Sequence, residues 1–376
     1  MTQPEYRLRL PGPTAVPERI RLATAAPIHN HRGAEFKAML SEVQAGLRAV
    51  YGTAQDVFLF AGSGTSMMEA SLANVLAPGD AVLVAVAGQF SERFAAIAAA
   101  LGAKVDALEC EWGQGIDVQR LAERLGRADY RALVVVHNES STGVLEDLAA
   151  IGALVRERPT LLVVDSVSGL AGTEVNMDAW GADIVVSASQ KCLMCPPGLG
   201  FAAVSEKAWE VVKRDGTVPR FFLDFRRARA AWEKGETAFT PPVSLVYGLR
   251  EALRMIAEEG LANVLARHRR LSSALRAGCR RLGLEPFNRA AVASNTVVAL
   301  KVPRGLEGSA IVAHLRSRYR TVIAGARNAR LQNKVIRIGT MGAVSDADIE
   351  TDLAHLEATL KDLGVSGRPR AGGDPI

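Results

Sequence analysis

Two stretches of this 376-residue sequence bring an ionisable group to the end of an apolar run. In LLVVDSVS four apolar residues lead into Asp165, and in IVVSASQK a similar run leads to Lys191, 26 residues further on. A carboxylate at such a strand end can bind a metal, cap the next turn or pair with a cation on a ligand, and for an isolated aspartate capping is the plainer reading. A lysine that closes an apolar strand is poorly explained as solvated surface, and its amine suits imine formation with a carbonyl. A third stretch, AGSGTSMMEASLANVL, sets Gly62, Ser63, Gly64 and Thr65 between a strand and a helix. Glycines allow a tight path there, while hydroxyls and the first helical amides face an anion. The turn lacks the third glycine of a dinucleotide fingerprint and the Gly-Lys-Ser/Thr end of a nucleoside-triphosphate loop, so one phosphate is the better match. On its own it would pass for an ordinary strand-to-helix turn.

Together the three parts meet the requirements of pyridoxal 5'-phosphate (PLP). The cofactor needs an aspartate to keep its pyridine nitrogen protonated, a lysine to hold it as a Schiff base and a cradle for its phosphate. The expected catalytic residues are therefore Asp165 and Lys191. Asp165 stabilises the pyridinium by proximity, and Lys191, once displaced by an incoming amine, is free to shuttle a proton. Pro196, Pro197 and Gly198 break the chain just beyond, which places the lysine on a short constrained loop.

Positioning these groups requires a sheet. Between residues 57 and 204, short β-branched runs alternate with helical stretches, a pattern that predicts an α/β fold with parallel strands joined by crossover helices. The expected strands are 57–60, 81–86, 104–108, 132–136, 161–164, 184–186 and 200–204, with helical runs such as SERFAAIAAALG and LEDLAAIGALVRER between them. After the helix-like EKAWEVVKR, residues 221–244 read as a long irregular passage of functional or interfacial kind. A helix from near Leu245 leads to LANVLARHRRLSSALRAGCRRLG, a long amphipathic helix, and then to strand, helix, strand and a last helix capped by Ser345. The expected organisation is an N-terminal arm over 1–20 and a large PLP-binding domain over 21–248, built on a mostly parallel seven-stranded sheet. A smaller C-terminal α+β domain over 249–366 and a flexible tail over 367–376 complete it.

Composition excludes several classes. Hydrophobic residues at 48% and charged residues at 23% describe an ordinary folded chain, with no apolar run of membrane-spanning length. The net charge of +5 is dispersed and aromatic residues are scarce, which argues against nucleic-acid binding and for anionic small ligands. The polar, proline-broken start does not resemble a secretory signal, so the expected location is cytoplasmic. Cys110, Cys192, Cys195 and Cys279 are too few for a disulfide framework. The CLMC spacing has no second pair to complete a zinc site, so no metal is expected.

The string DSVSGLAGTEVNMDAWGADIVVSASQKCLMCPPGLGFAAVS resembles the core of the class V aminotransferases, on the fold type I PLP scaffold, within the alanine/serine-glyoxylate aminotransferase group. LPGPTAVP, NHRGAEF, AGSGTSMMEA, HNESSTGV, TPPVSLVYGLREAL and RIGTMG resemble that group's motifs in the same order, across nearly the whole chain. The resemblance implies cofactor-binding roles for Ser63, Gly64, Thr65, Phe90, Ser140, Asp165, Val167, Gln190, Lys191 and Thr240. Phe90 matches the aromatic stacked on the cofactor ring, although a core phenylalanine is the plain alternative. Val167 matches the residue packed under the ring beside Asp165, and Gln190 a donor on the phosphate side. Thr240 matches a threonine that reaches the partner chain's cofactor phosphate, which implies a homodimer with active sites at the interface. Arg337, in VIRIGTMG, matches the arginine whose planar fork grips the substrate carboxylate. His137 reads as a structural strand-end histidine. Asn30, His31 and Arg32 are as well explained by a plain loop as by the site entrance. The group often has His in place of Thr340 and Pro-Tyr in place of Ala238 and Phe239.

These features point to a PLP-dependent aminotransferase moving an amino group from a small amino acid such as alanine or serine to a 2-oxo acid, glyoxylate or pyruvate, by ping-pong chemistry. The alternatives are another donor on the same scaffold, such as ureidoglycine, aspartate or pyridoxamine, or a PLP-dependent lyase. A cysteine desulfurase would need a cysteine on a mobile loop, and Cys279 falls in a helical pattern. A PLP-fold ligand-binding regulator would carry a DNA-binding helix pair, for which the twenty-odd residues before the matched region are too few. The incomplete glycine pattern disfavours a nicotinamide oxidoreductase.

Overall fold

Successive side chains of a strand point to opposite faces, so a strand covered on both sides must be apolar throughout. Leu133, Val135, Leu162 and Val164 enter one buried apolar layer, while Ala132, Val134, Val136, Leu161 and Val163 enter the other. In the computed structural model, which describes residues 6–214 and 218–365, these runs form the middle of a seven-stranded sheet. Its spatial order is Val57–Gly62, Gly198–Val204, Ile184–Ala188, Leu161–Asp165, Ala132–Val136, Ala81–Val86 and Lys104–Glu109. Gly198–Val204 is antiparallel to both its neighbours, and the other strands share one direction. The expected mostly parallel sheet is thus present, with its seven strands. The expected tail, 367–376, lies outside the described residues.

Several strands run longer than the sequence suggested. Asp165 and Gly62 belong to their strands, because the ladder continues past the last apolar residue: Asp165 is in register with both Val136 and Val186. A carboxylate or glycine is disfavoured in a strand on average, but cross-strand pairing decides where a strand stops. Residues 221–244 need a larger correction. Within them Phe225–Trp232 is a helix, capped by the Asp224 side chain, which accepts from Arg226 N. Its buried residues are Phe225 and Ala228, and the Phe225 ring stacks on Phe58 at 6.3 Å. Its exposed arginines masked that short apolar face. The helix expected over LEDLAAIGALVRER is shorter than its pattern, ending at Leu148–Ala153.

Beyond the helix Val243–Glu259, the long helix Leu261–Arg281 packs with Gly308–Tyr319 and Asp346–Asp362 against an antiparallel sheet of Val297–Lys301, Val335–Gly339 and Ala324–Gly325. Ser345 caps the last helix as expected, its hydroxyl accepting from Asp348 N. The N-terminal strand Arg7–Leu8 pairs with Thr321–Val322, and the nearly buried Arg9 meets Asp348 at 2.5 Å and Asp352 at 2.8 Å. This tether holds the first residues against the C-terminal helix. Among the described residues, no helix is long and apolar enough to cross a membrane.

His268 lies fully buried on the long helix. Gly342 N donates to its Nε2 at 3.1 Å, which leaves the ring proton on Nδ1, 2.8 Å from Val264 O. The neutral ring satisfies both partners, and burial pushes its pKa from 6.5 down to about 4. Between those values the unfolded chain binds the extra proton, so stability is full above 6.5 and falls as pH drops through the window. Relative to His268→Gln, the wild type should lose up to about 3 kcal/mol more between pH about 7 and about 4 in chemical denaturation. Parallel stability curves for the two proteins would remove His268 as the cause.

Candidate active site

Parallel strands that share a direction also share a carboxyl end, and the groups picked out by the sequence collect there. Ser63, Gly64, Thr65, Phe90, Ser140, Asp165, Val167, Gln190 and Lys191 line one cavity of about 120 Å³. Size alone does not single it out, since a hollow of about 340 Å³ lies beside Cys110 and Arg120. That larger space has no lysine and none of the strand-end groups. Asp165 is buried; Val167 N donates to its Oδ1 at 2.7 Å, and no donor among the described residues reaches Oδ2. Burial raises its carboxyl to about 6, against the Val167 amide and the positive charges of Lys191 and Arg93, which favour ionisation. Burial also lowers the Lys191 amine to about 8, with Asp165 opposing the shift.

Lys191 is held on both sides. Its carbonyl accepts from Met194 N at 2.9 Å and from Thr14 Oγ1 at 3.0 Å, while Nζ donates to Pro11 O. Gly12, at φ +101°, leaves room for the lysine: a Cβ there would stand 2.4 Å from Lys191 Cδ. The LPGPT segment therefore packs against the lysine, a contact that the sequence reading did not foresee. Cys192 and Cys195, just beyond the lysine, are buried, and desolvation pushes the Cys192 thiol up to about 12. Among the described residues no cluster of three or more His, Cys, Asp or Glu is arranged to hold a metal.

At the phosphate-type turn, Ser63 caps the helix Gly64–Ala73 and accepts from Ser66 N at 3.2 Å, while Met67 N reaches Ser63 O. The amides of Gly64 and Thr65 precede the first intrahelical acceptor and stay available to an anion. Gly64 permits close packing, because a Cβ there would meet Val167 Cγ2 at 2.7 Å. Phe90 opens the helix Gln89–Ala100, and its position depends on Glu139, which the sequence reading passed over. Glu139 Oε2 accepts from Phe90 N and Ser91 N, both at 3.1 Å, and Oε1 accepts from Ser141 N and Oγ. A fully buried carboxylate thus sits at the positive end of that helix, although desolvation raises its pKa. Arg93, Met68, Asn138 and Ser168 also line the cavity unforeseen; for Arg93 the available signal was its place one helical turn after Phe90.

Two expected residues stand apart from this lining. Arg337 is buried on the central strand of the small sheet and donates to Ser140 O at 3.1 Å and Gly325 O at 2.9 Å. Among the described residues its Nε has no hydrogen-bond partner and it forms no ion pair, and burial lowers its pKa. Thr240 lines a separate hollow with Phe222 and Phe239. Thr340 is buried, with its hydroxyl on Asn295 O, and Ala238 and Phe239 lie beside Thr240. Arg32 pairs with Glu236 on the surface, and neither it nor Asn30 or His31 lines the cavity. His137 is a buried strand-end residue whose Nδ1 lies 3.0 Å from Ser166 Oγ.

A lysine amine at about 8 becomes reactive far below the solvated value of 10.5. Its alkylation by a small aldehyde under reducing conditions should rise with pH through a midpoint near 8, read by peptide mass spectrometry. Asp165→Asn removes the charge that favours the ammonium form and should move this midpoint lower. A midpoint near 10.5 in the wild type would show instead that water reaches the amine freely.

Comparison with known proteins bears on this geometry. The family model described as aminotransferase class-V matches residues 22–351. The chain is 40% identical to the soluble hydrogenase 42 kDa subunit of Anabaena cylindrica, over 95% of this chain and 94% of that protein. It is 37% identical to the L-aspartate–glyoxylate aminotransferase of Paracoccus denitrificans, over 95% and 91% of the respective chains. The crystal structure of an alanine–glyoxylate aminotransferase from Nostoc sp. superposes with a TM-score of 0.92 at 33% identity, covering 96% of each chain. With a family match spanning most of its length and relatives this similar from end to end, the chain belongs to the class V aminotransferases.

Proposed function

We propose that this protein is a PLP-dependent aminotransferase that carries an amino group from a small amino acid such as alanine or serine to a 2-oxo acid, with glyoxylate as the favoured acceptor. The observation that carries this reading is the burial of the Lys191 amine and the Asp165 carboxylate in one cavity, beside a helix N-terminus with free amides. The residues present fit the cofactor. Gly64 leaves no room for a Cβ against Val167, and the side chain of Gln190, whose amide nitrogen can donate, lines the same cavity. When bound, PLP supplies an electron sink for the carbanion at the substrate's alpha carbon.

The chain's own residues would divide the remaining work. Asp165 would keep the ring nitrogen protonated, and its Oδ2, which no donor among the described residues reaches, is suited to that contact. Lys191 attaches the cofactor and, when released, takes and returns the alpha proton, for which an amine near 8 is well matched to neutral pH. Phe90 and Val167, which both line the cavity, would pack against the ring. Ser63, Thr65, the amides of Gly64 and Thr65, and the Gln190 amide hold the phosphate. Arg337, buried without a carboxylate partner and tied to Ser140, supplies the fork for the substrate carboxylate. The acceptor follows the names of the Paracoccus and Nostoc proteins, which share glyoxylate but differ in donor.

A second copy would complete the site. Ser63 and Thr65 are exposed in the single chain. Phe221 and Phe222 are 61% and 43% exposed, and Phe222 stacks on Phe239 next to Thr240. An exposed aromatic patch of this kind suits a subunit interface, and Thr240 of one chain would then face the phosphate of the other. The four free cysteines, three of them buried, suit a reducing compartment such as the cytoplasm.

Purified protein supplied with PLP should develop a visible absorption band that Lys191→Ala lacks, and alanine or serine should discharge it until glyoxylate is added. A wild type with no band would end the PLP reading, and a band that no amino acid discharges would end the transaminase reading. Arg337→Ala should raise KM for amino acid roughly a hundredfold while cofactor loading changes less than about twofold. Equal loss of both would contradict a carboxylate-binding role.

A further inference from the structure

The cavity lining has three ionisable side chains, Asp165, Lys191 and Arg93, and the functional reading employs the first two. Arg93 is one turn beyond Phe90 on the helix Gln89–Ala100, so the two share a face. Its Cζ lies 4.9 Å from the centroid of the Phe90 ring, and its Nη1 donates to Thr65 Oγ1 at 3.2 Å. Among the described residues it forms no ion pair with a carboxylate. The ring contact and the hydroxyl thus fix the guanidinium at the phosphate turn, where, among the described residues, no carboxylate is in direct ion-pair contact with it.

A phosphate monoester brings a charge of about −1.5 to −2 near neutral pH. Helix amides and hydroxyls can solvate this charge but not cancel it, and Lys191 is committed to holding the cofactor. Among the lining side chains, Arg93 is the cation that remains. We propose that Arg93 is the charge partner of the cofactor phosphate and acts through Thr65. By donating to Oγ1, it occupies an acceptor site of the hydroxyl and leaves the hydroxyl hydrogen free to point at a phosphate oxygen, and the two bonds strengthen each other. This inference rests on the PLP reading and adds to it a residue that discriminates the phosphorylated cofactor from its unphosphorylated form.

The test uses the full chain, freed of cofactor, as wild type, Arg93→Met and Arg93→Lys. Each is titrated with PLP and with pyridoxal, which lacks the phosphate, by visible absorption. Arg93→Met should weaken PLP binding by about ten- to a hundredfold and pyridoxal binding by less than about threefold, and Arg93→Lys should restore most of the PLP affinity. Equal weakening of both ligands would overturn the proposal and leave Arg93 a support for Phe90. Unchanged PLP affinity would also overturn it, including the case where only turnover of dicarboxylic amino acids falls. A wild type that binds neither ligand would instead bring down the functional reading itself, an outcome distinct from a defect confined to the variants.

Discussion

Two opposite charges taken out of water, Asp165 and Lys191, set the terms for the rest of this structure. Desolvation raises the carboxyl and lowers the amine, and mutual attraction resists both shifts, so the groups settle near 6 and 8. Neither group could persist there without a rigid setting. Asp165 is clamped in register between Val136 and Val186, and the lysine's loop is bonded to the N-terminal segment at Thr14 and Pro11. Gly12 adds to this setting, since its φ of +101° suits glycine and a Cβ there would displace the Lys191 side chain.

Further buried charges carry that order outward. Glu139 gathers the amides of Phe90, Ser91 and Ser141, so the helix with Phe90 and Arg93 and the loop with Ser140 share one anchor. Ser140 O in turn receives Arg337 from the small sheet, and the Glu139 charge partly offsets the effect of burial on that guanidinium. Arg9, with Asp348 and Asp352, ties the N-terminal segment to the last helix before that segment reaches Lys191. Such pairs add little net stability once desolvation is subtracted, but removing one partner strands the other charge, which makes them effective at fixing position.

The sheet was legible in the sequence because strands buried on both faces must be apolar throughout, and runs such as ALVVV and LLVV leave little choice. Asp165 stood out as the charge that ends one such run, and Lys191 as the charge closing the IVVSASQK string, although its strand stops at Ala188 and the lysine sits on the turn beyond. The helix Phe225–Trp232 was hidden because its buried face spans little more than Phe225 and Ala228 amid arginines. Glu139 was hidden because it sits in a polar loop string, where one more acid carries no periodic signal.

The sequence by itself determined the strand runs, the aspartate that ends one of them, the lysine just beyond another and the glycine turn, since each depends on local chemistry or on an unbroken apolar run. Only the tertiary structure decided which distant residues share the cavity. Arg93 meets Thr65, Glu139 caps the Phe90 helix, and the LPGPT segment closes on Lys191, although 180 residues separate Pro11 from that lysine. Contacts of that kind arise from how the strands are ordered and how the chain returns over them, and no local pattern of residues encodes that order.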